Sequence, residues 1–244
     1  MKFIHKSGPP HAYSAWCKKV AGTQKADYRE LSKQMKGEVL LGLLAEQGWI
    51  CAYTMKRLEE DNSHIEHIKP QTRCRQDKPG SDLCYENLVA CFPEEGMGRK
   101  YRYGAQEKLG WWENDGKNFI SPLHSNCETR FHFDMSGNIT WVNNCSAAES
   151  TVKLLRLDHP ALTEDRGRVI AEFLFGENRN DPLSKAKALA AIKLVCQRNA
   201  NGRFYEFCIA IRDALVEQVY QMQKLAKARR FARRKKNERK NKRA

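Results

Sequence analysis

The 244-residue chain carries 43 Lys and Arg against 29 Asp and Glu, a net charge of +14, with 41% hydrophobic and 30% charged residues. Most of such a chain is expected to fold, and no stretch approaches the roughly 18 apolar residues that a membrane span needs. The charge is concentrated: residues 224–244 hold twelve basic residues and one acid, Glu238, so this tail carries +11 and the rest only +3. Nucleic acid is the natural partner of such a tail, a solvated end that aids solubility being the plainer reading.

Gly8-Pro9-Pro10 and Gly22 interrupt the first 22 residues, which read as irregular, with no apolar core of a signal peptide. Nine scattered cysteines, an odd number, point to reduced thiols in a cytoplasm. From about Ala26 to Gln47, the spacing of Tyr28, Leu31, Met35, Val39 and Leu43 predicts a helix with Gly48 at its C-cap. Trp49–Met55 reads as strand-like and His64–Ile68 as a second short strand, ended by Pro70. Residues 71–86 read as loop, and Asn87–Cys91 opens another short element. Residues 93–118 are Gly-rich and without a period; loops of that length are usually functional or disordered. Their Trp111-Trp112 either stack on bases or, more simply, pack on the core.

Phe131 and Phe133, then Ile139 and Trp141, alternate on either side of Asp134–Asn138 and predict a hairpin. Ser146-Ala147-Ala148-Glu149 has capping-box spacing and starts a helix with Val152 and Leu155 on one face. Helices also fit 164–175, 184–199 and 203 onward, the last with a core-like stripe of Phe204, Phe207, Ile211, Leu215, Val219 and Met222. The order predicts an α+β chain in three parts: residues 1–146, a helical region 147–223, and a basic tail 224–244, disordered or continuing the last helix.

The segment His64-Ile65-Glu66-His67-Ile68-Lys69-Pro70 carries the chemistry. On a strand His64, Glu66 and Ile68 share one face, with Ile65 and His67 on the other. A carboxylate beside an imidazole suits a one-metal phosphodiesterase. The carboxylate helps hold a divalent cation against the scissile phosphate, and the imidazole takes a proton from the attacking water. Two histidines and a glutamate in five residues also arise on ordinary surfaces.

Followed by Asn87-Leu88-Val89-Ala90-Cys91, this segment resembles the HNH, or ββα-metal, nucleases. The resemblance implies His67 as general base, Glu66 as a metal ligand, and Asn87 as the brace of the loop that orients His67. It leaves His64 as an added ligand or phosphate contact. A narrower likeness, over roughly residues 1–175, is to the PtuB-like HNH proteins of Septu-type and retron-associated anti-phage systems. It rests on Met1-Lys2-Phe3-Ile4, Ile50-Cys51-Ala52-Tyr53, the two motifs above, Ser121-Pro122-Leu123, Cys127-Glu128 and Gly137-Asn138-Ile139. It implies a small HNH core with additional helices, an Mg²⁺ or Mn²⁺ cofactor, and a PtuA-type ATPase as partner. A retron reverse transcriptase with its DNA–RNA product is a further partner by the same likeness.

The chain departs from that pattern in two places. Cys51-Ala52-Tyr53-Thr54 stands where relatives have paired thiols and Tyr103 where a later Cys falls, which argues against a structural Zn²⁺, although Cys51, Cys84 and Cys91 remain candidate thiolates. The third catalytic element, Tyr103–Lys108, has no His or Asn. Lys108 is the expected phosphate contact and Gln106 or Glu107 the remaining metal ligand, a solvated helix face being the alternative. Arg229, Arg230, Arg233, Arg234, Lys235 and Lys236 are the expected nucleic-acid contacts. A binding module that has lost catalysis, or a basic RNA-binding protein, are the competing readings.

Overall fold

The computed structural model describes residues 1–94, 101–142, 144–175 and 182–241, with side chains as far as Lys235. The first helix, α1 (His11–Val20), lies where an irregular segment was expected. Pro10 starts it, since a fixed φ and a missing N–H are no handicap at a helix N-terminus. The helix is held by Tyr13, buried to 1% exposure, whose hydroxyl donates to the Leu83 carbonyl at 2.7 Å. The expected helix over 26–47 divides: a 3₁₀ turn at Tyr28–Glu30, then α2 (Lys33–Glu46), capped by the Ser32 hydroxyl. Gly48, at φ +60°, ends it. A Cβ there would meet the Phe204 ring at 2.4 Å, so glycine is required by both conformation and space.

Trp49–Met55 does not form a strand. Trp49 and Met55 adopt positive φ, and one isolated bridge, Ile50 to Arg57, marks a tight turn. The reason lies with Gln47. Its buried amide donates to the carbonyls of Ile50 and Ala90 at 3.0 and 2.8 Å and accepts the Ala90 N–H at 2.7 Å. A side-chain amide thus takes the edge that a neighbouring strand would use.

β1 (His64–His67) pairs antiparallel with β2 (Leu88–Cys91), in the register His64–Cys91, Ile65–Ala90, Glu66–Val89 and His67–Leu88. Between them lies α3 (Gln71–Asp77), in the stretch read as loop. The short α4 (Ala105–Lys108) follows β2. β3 (Phe131–Phe133) and β4 (Ile139–Trp141) form the expected hairpin.

Four more helices follow: α5 (Ser146–Leu155), α6 (Pro160–Phe175), α7 (Lys185–Leu194) and α8 (Cys208–Asn241). The expected capping box does not form, because the helix already includes Ser146 and its N-cap is Cys145, without a side-chain bond. α8 starts after Phe207, whose φ of +52° leaves Phe204 outside the helix. The described residues form a mixed α+β arrangement of many helices and two small sheets. Its hydrophobic core runs without interruption from the N-terminal segment through β2 and β3 to α8. The segment before α8 is tied to the turn after α2 by Phe204 N–H to Gly48 O at 2.9 Å and Phe207 N–H to Met55 O at 3.1 Å. Among the described residues, no helix is long and apolar enough to cross a membrane.

Candidate functional site

The site is built where β1 runs out. His67, its last residue, is 4% exposed and turned away from Glu66, toward the 3₁₀ turns at Tyr28–Glu30 and Ser81–Leu83. Its Nε2 lies 2.9 Å from the carbonyl oxygen of Asp82. A carbonyl only accepts, so Nε2 bears the proton and Nδ1 the lone pair. Tyr28 meets the ring edge-on, centroids 4.6 Å apart. Burial is the main reason that the imidazole pKa falls to about 4; Lys108 and Arg75 lower it further, against the Asp82 carbonyl and carboxylate. At neutral pH the ring is therefore an uncharged base. The amide nitrogen of Gln71, at the start of α3, stands 3.4 Å from Nδ1.

Two further residues hold this arrangement. Asp82, fully buried, accepts the Tyr28 N–H at 3.2 Å and the Arg75 guanidinium at 3.0 Å, which fixes the turn whose carbonyl orients His67. Asn87 clamps the chain two residues beyond His67, its Oδ1 accepting the Lys69 N–H and its Nδ2 donating to the Lys69 carbonyl, both at 2.8 Å. The Ile68 N–H adds a bond to the Asn87 carbonyl at 2.9 Å. One amide side chain thus continues the β1–β2 ladder past the end of the strands.

On the opposite face, Glu66 is paired with Lys108. The ammonium donates to Glu66 Oε1 at 2.8 Å and to the His67 carbonyl at 2.9 Å. Lys108 is 1% exposed, so neither a solvated helix face nor an open phosphate contact describes it in this structure. It is a buried cation that joins α4 to β1. The Tyr53 hydroxyl, also buried, has its pKa pushed up by burial and by the nearby Glu66 carboxylate. His64, on the Glu66 face, bonds through Nδ1 to the Pro93 carbonyl. Gln106 Oε1 accepts the Tyr101 N–H at 3.3 Å.

Among the described residues, no group of three or more His, Cys, Asp and Glu side chains is placed to hold a metal ion. Cys51 and Cys91 are buried, whereas Cys84 is exposed, with its thiol 3.3 Å from Glu86. The donor set still suits one kind of ion. Mg²⁺ is usually held through one or two carboxylates, with water and substrate phosphate completing the shell. Glu66, with 18% of its side chain exposed, supplies such a carboxylate, and His64 shares its strand face.

The residues expected at the catalytic centre, His67, Glu66, Asn87 and Lys108, therefore lie within one continuous set of contacts. The basic residues Arg229, Arg230, Arg233, Arg234 and Lys235 stand exposed along α8, and the Lys236 side chain lies outside the described residues. Gln71, Arg75 and Asp82 were missed by the sequence reading. α3 has no apolar period, and the contribution of Asp82 to His67 is a backbone carbonyl, which any residue type provides.

No family model matches the chain. It is 29% identical over 135 residues to the candidate HNH endonuclease of retron Vc95 from Vibrio cholerae serotype O1 biovar El Tor. The match takes in 53% of this chain and 62% of the relative, so the chain spans about three fifths of that protein's length.

Proposed function

We propose that this chain is an HNH-class endonuclease, a phosphodiester hydrolase, in which β1, β2 and α4 make up the ββα-metal unit. The observation that carries the reading is His67. Its tautomer is set by a backbone carbonyl, its ring is neutral at physiological pH, and it directly follows on β1 a residue, Glu66, whose carboxylate suits a metal ion. The relative named for a retron HNH endonuclease supports the same assignment.

In this reading Nδ1 of His67 accepts a proton from the attacking water, which takes the hydrogen-bonding place now held by the Gln71 amide. Asn87 keeps the Lys69 backbone, and so the end of β1, from drifting. Glu66, with His64 and Gln106 as further donors, would hold Mg²⁺ or Mn²⁺. When bound, that ion supplies positive charge at the scissile phosphate and the leaving oxygen. Lys108 orients the Glu66 carboxylate rather than touching substrate.

DNA is the favoured substrate, with RNA the alternative, and the α8 residues Arg229, Arg230, Arg233, Arg234, Lys235 and Lys236 supply phosphate contacts. The setting that belongs to this proposal is a cytoplasmic anti-phage complex with a PtuA-type ATPase and a retron reverse transcriptase with its DNA–RNA product. The second reading, a binding module without catalysis, draws on the Lys108–Glu66 pair, since a carboxylate already satisfied has less need of a metal. The purified chain, alone and co-expressed with its genomic neighbours, is to be assayed on plasmid DNA and total RNA with Mg²⁺, Mn²⁺ or chelator. Cleavage that chelator stops supports the nuclease. Binding of both nucleic acids with no cleavage by the chain or the complex supports the second reading.

A further inference from the structure

The C-terminal helix changes character along its length. Cys208, Ile209, Ala210, Ile211, Ala214 and Leu215 are fully buried, whereas every residue from Gln223 to Lys235 is exposed. Residues 224–235 hold seven cations, Lys224, Lys227, Arg229, Arg230, Arg233, Arg234 and Lys235, and no acid. A surface helix that merely covers a protein has an apolar stripe and a charged back. In this segment the apolar strip is itself exposed along its whole length. At about 100° per residue, its cations cover roughly two thirds of the circumference. The remaining strip holds Leu225, Ala228 and Ala232, flanked by Arg229 and Arg233 on one side and Lys224 and Lys235 on the other.

We infer that this half of α8 lies in the major groove of duplex DNA, with the Ala228–Ala232 strip toward the groove floor and the flanking cations on the two phosphate walls. The inference rests on the nuclease reading and names the form of its substrate. A B-form major groove, about 12 Å wide, admits an α-helix, and alanine makes apolar contact with thymine methyls. The corresponding groove of an RNA duplex is too deep and narrow for side chains to read. A single strand has one backbone and needs cations along one track, often with stacking aromatics; here cations surround the helix and Phe231 is the one aromatic in 224–235. Twelve residues at about 1.5 Å each give roughly 18 Å, or about five base pairs. The strip offers no Asn or Gln to pair with adenine, so the grip is sequence-tolerant.

The test uses the full-length chain without divalent metal on a mixed-sequence DNA duplex of about 20 base pairs, matched by an RNA duplex and a DNA single strand. Dimethyl sulfate probing is expected to show protection of guanine N7, in the major groove, but not of adenine N3, in the minor groove. Replacing Lys224, Arg229, Arg233 and Lys235 together by Gln is expected to remove that protection and to lower the slope of log K against log salt by about 3–4. Ala228→Glu with Ala232→Glu, which fills the strip without removing a cation, is expected to weaken duplex binding at least tenfold. Protection at N3 alone, an unchanged salt slope, or tighter binding to the RNA duplex or the single strand would overturn the inference. Plasmid cleavage with metal separates it from the reading beneath it. Cutting without N7 protection sinks the groove alone, and N7 protection without cutting sinks the nuclease alone.

Discussion

The two small sheets are alike in size and opposite in construction. β3 and β4 are joined by a five-residue turn that closes itself, with Asp134 Oδ1 accepting the N–H groups of Ser136 and Asn138 at 2.9 Å each. Gly137, at φ +85°, lies so close to α6 that a Cβ would meet the Thr163 carbonyl at 2.5 Å. β1 and β2 are separated by twenty residues, including a helix, and their junction depends on side chains: the Asn87 clamp, the Asp82–Arg75 pair and the buried Lys108. A turn with its own chemistry makes a scaffold. A junction assembled from distant parts makes a place where an imidazole can be held neutral one strand position from a carboxylate.

The comparison breaks if substitutions at the β1–β2 junction prove as mild as those in the hairpin. His67→Ala is expected to have the largest effect, a loss of about 10²–10⁴ in cleavage rate under metal-saturating conditions. Because His67 is buried and donates to Asp82, the same change should cost about 1–3 kcal/mol of stability, so folding is to be checked by urea titration. A variant that folds and cuts at the parent rate removes His67 from the mechanism. Glu66→Gln leaves the buried Lys108 ammonium without its counter-charge. About 3 kcal/mol is expected, the lower end for breaking a buried pair, because Glu66 is partly exposed. It should also raise the Mg²⁺ or Mn²⁺ concentration needed for half-maximal cleavage; an unchanged metal curve would move the ligand role to His64 or Gln106.

Asn87→Ala removes two 2.8 Å bonds and should destabilise by about 1–3 kcal/mol, with a lower cleavage rate. Asn138→Ala, on the exposed hairpin turn, should cost under about 1 kcal/mol. Equal losses in the two would erase the contrast. The last prediction concerns pH. The His67 pKa falls from 6.5 to about 4 on folding, so between those values the unfolded chain binds the extra proton. Stability from this group is complete above pH 6.5 and is lost as pH falls toward 4, with a slope of at most about 1.4 kcal/mol per pH unit. Urea titrations at pH 7 and pH 5 measure it, and His67→Gln should flatten the difference.

How much of this was legible follows the same division. The hairpin was plain because its turn residues and its alternation lie within eleven positions. β1, β2 and Asn87 were legible as a motif, but the partners that complete them were not. Lysine is almost never fully buried unless paired, so Lys108 read as surface until Glu66 was known to face it. Pro10 read as a breaker, although it is equally a helix starter, and only the packing of Tyr13 decides between the two. Residues 49–55 read as strand-like, but a buried glutamine side chain takes the edge that a strand would use. Polar side chains that substitute for backbone leave no period to find.

The attachment of α8 gives the molecule a mechanical property. Phe204 and Phe207 are bonded to the Gly48–Met55 turn, and Ala52 in that turn donates to the Ala90 carbonyl of β2 at 3.2 Å. A helix of 34 residues is about 50 Å long, and its buried root is bonded through two backbone steps to the strand beside Glu66. A rigid beam fixed at one end is a ruler. If the far end grips DNA as inferred, the distance from that grip to the point where β1 presents His67 would be set by these backbone hydrogen bonds and the helix rise, and cuts by the proposed nuclease should fall at a constant offset from the grip whatever the sequence between them.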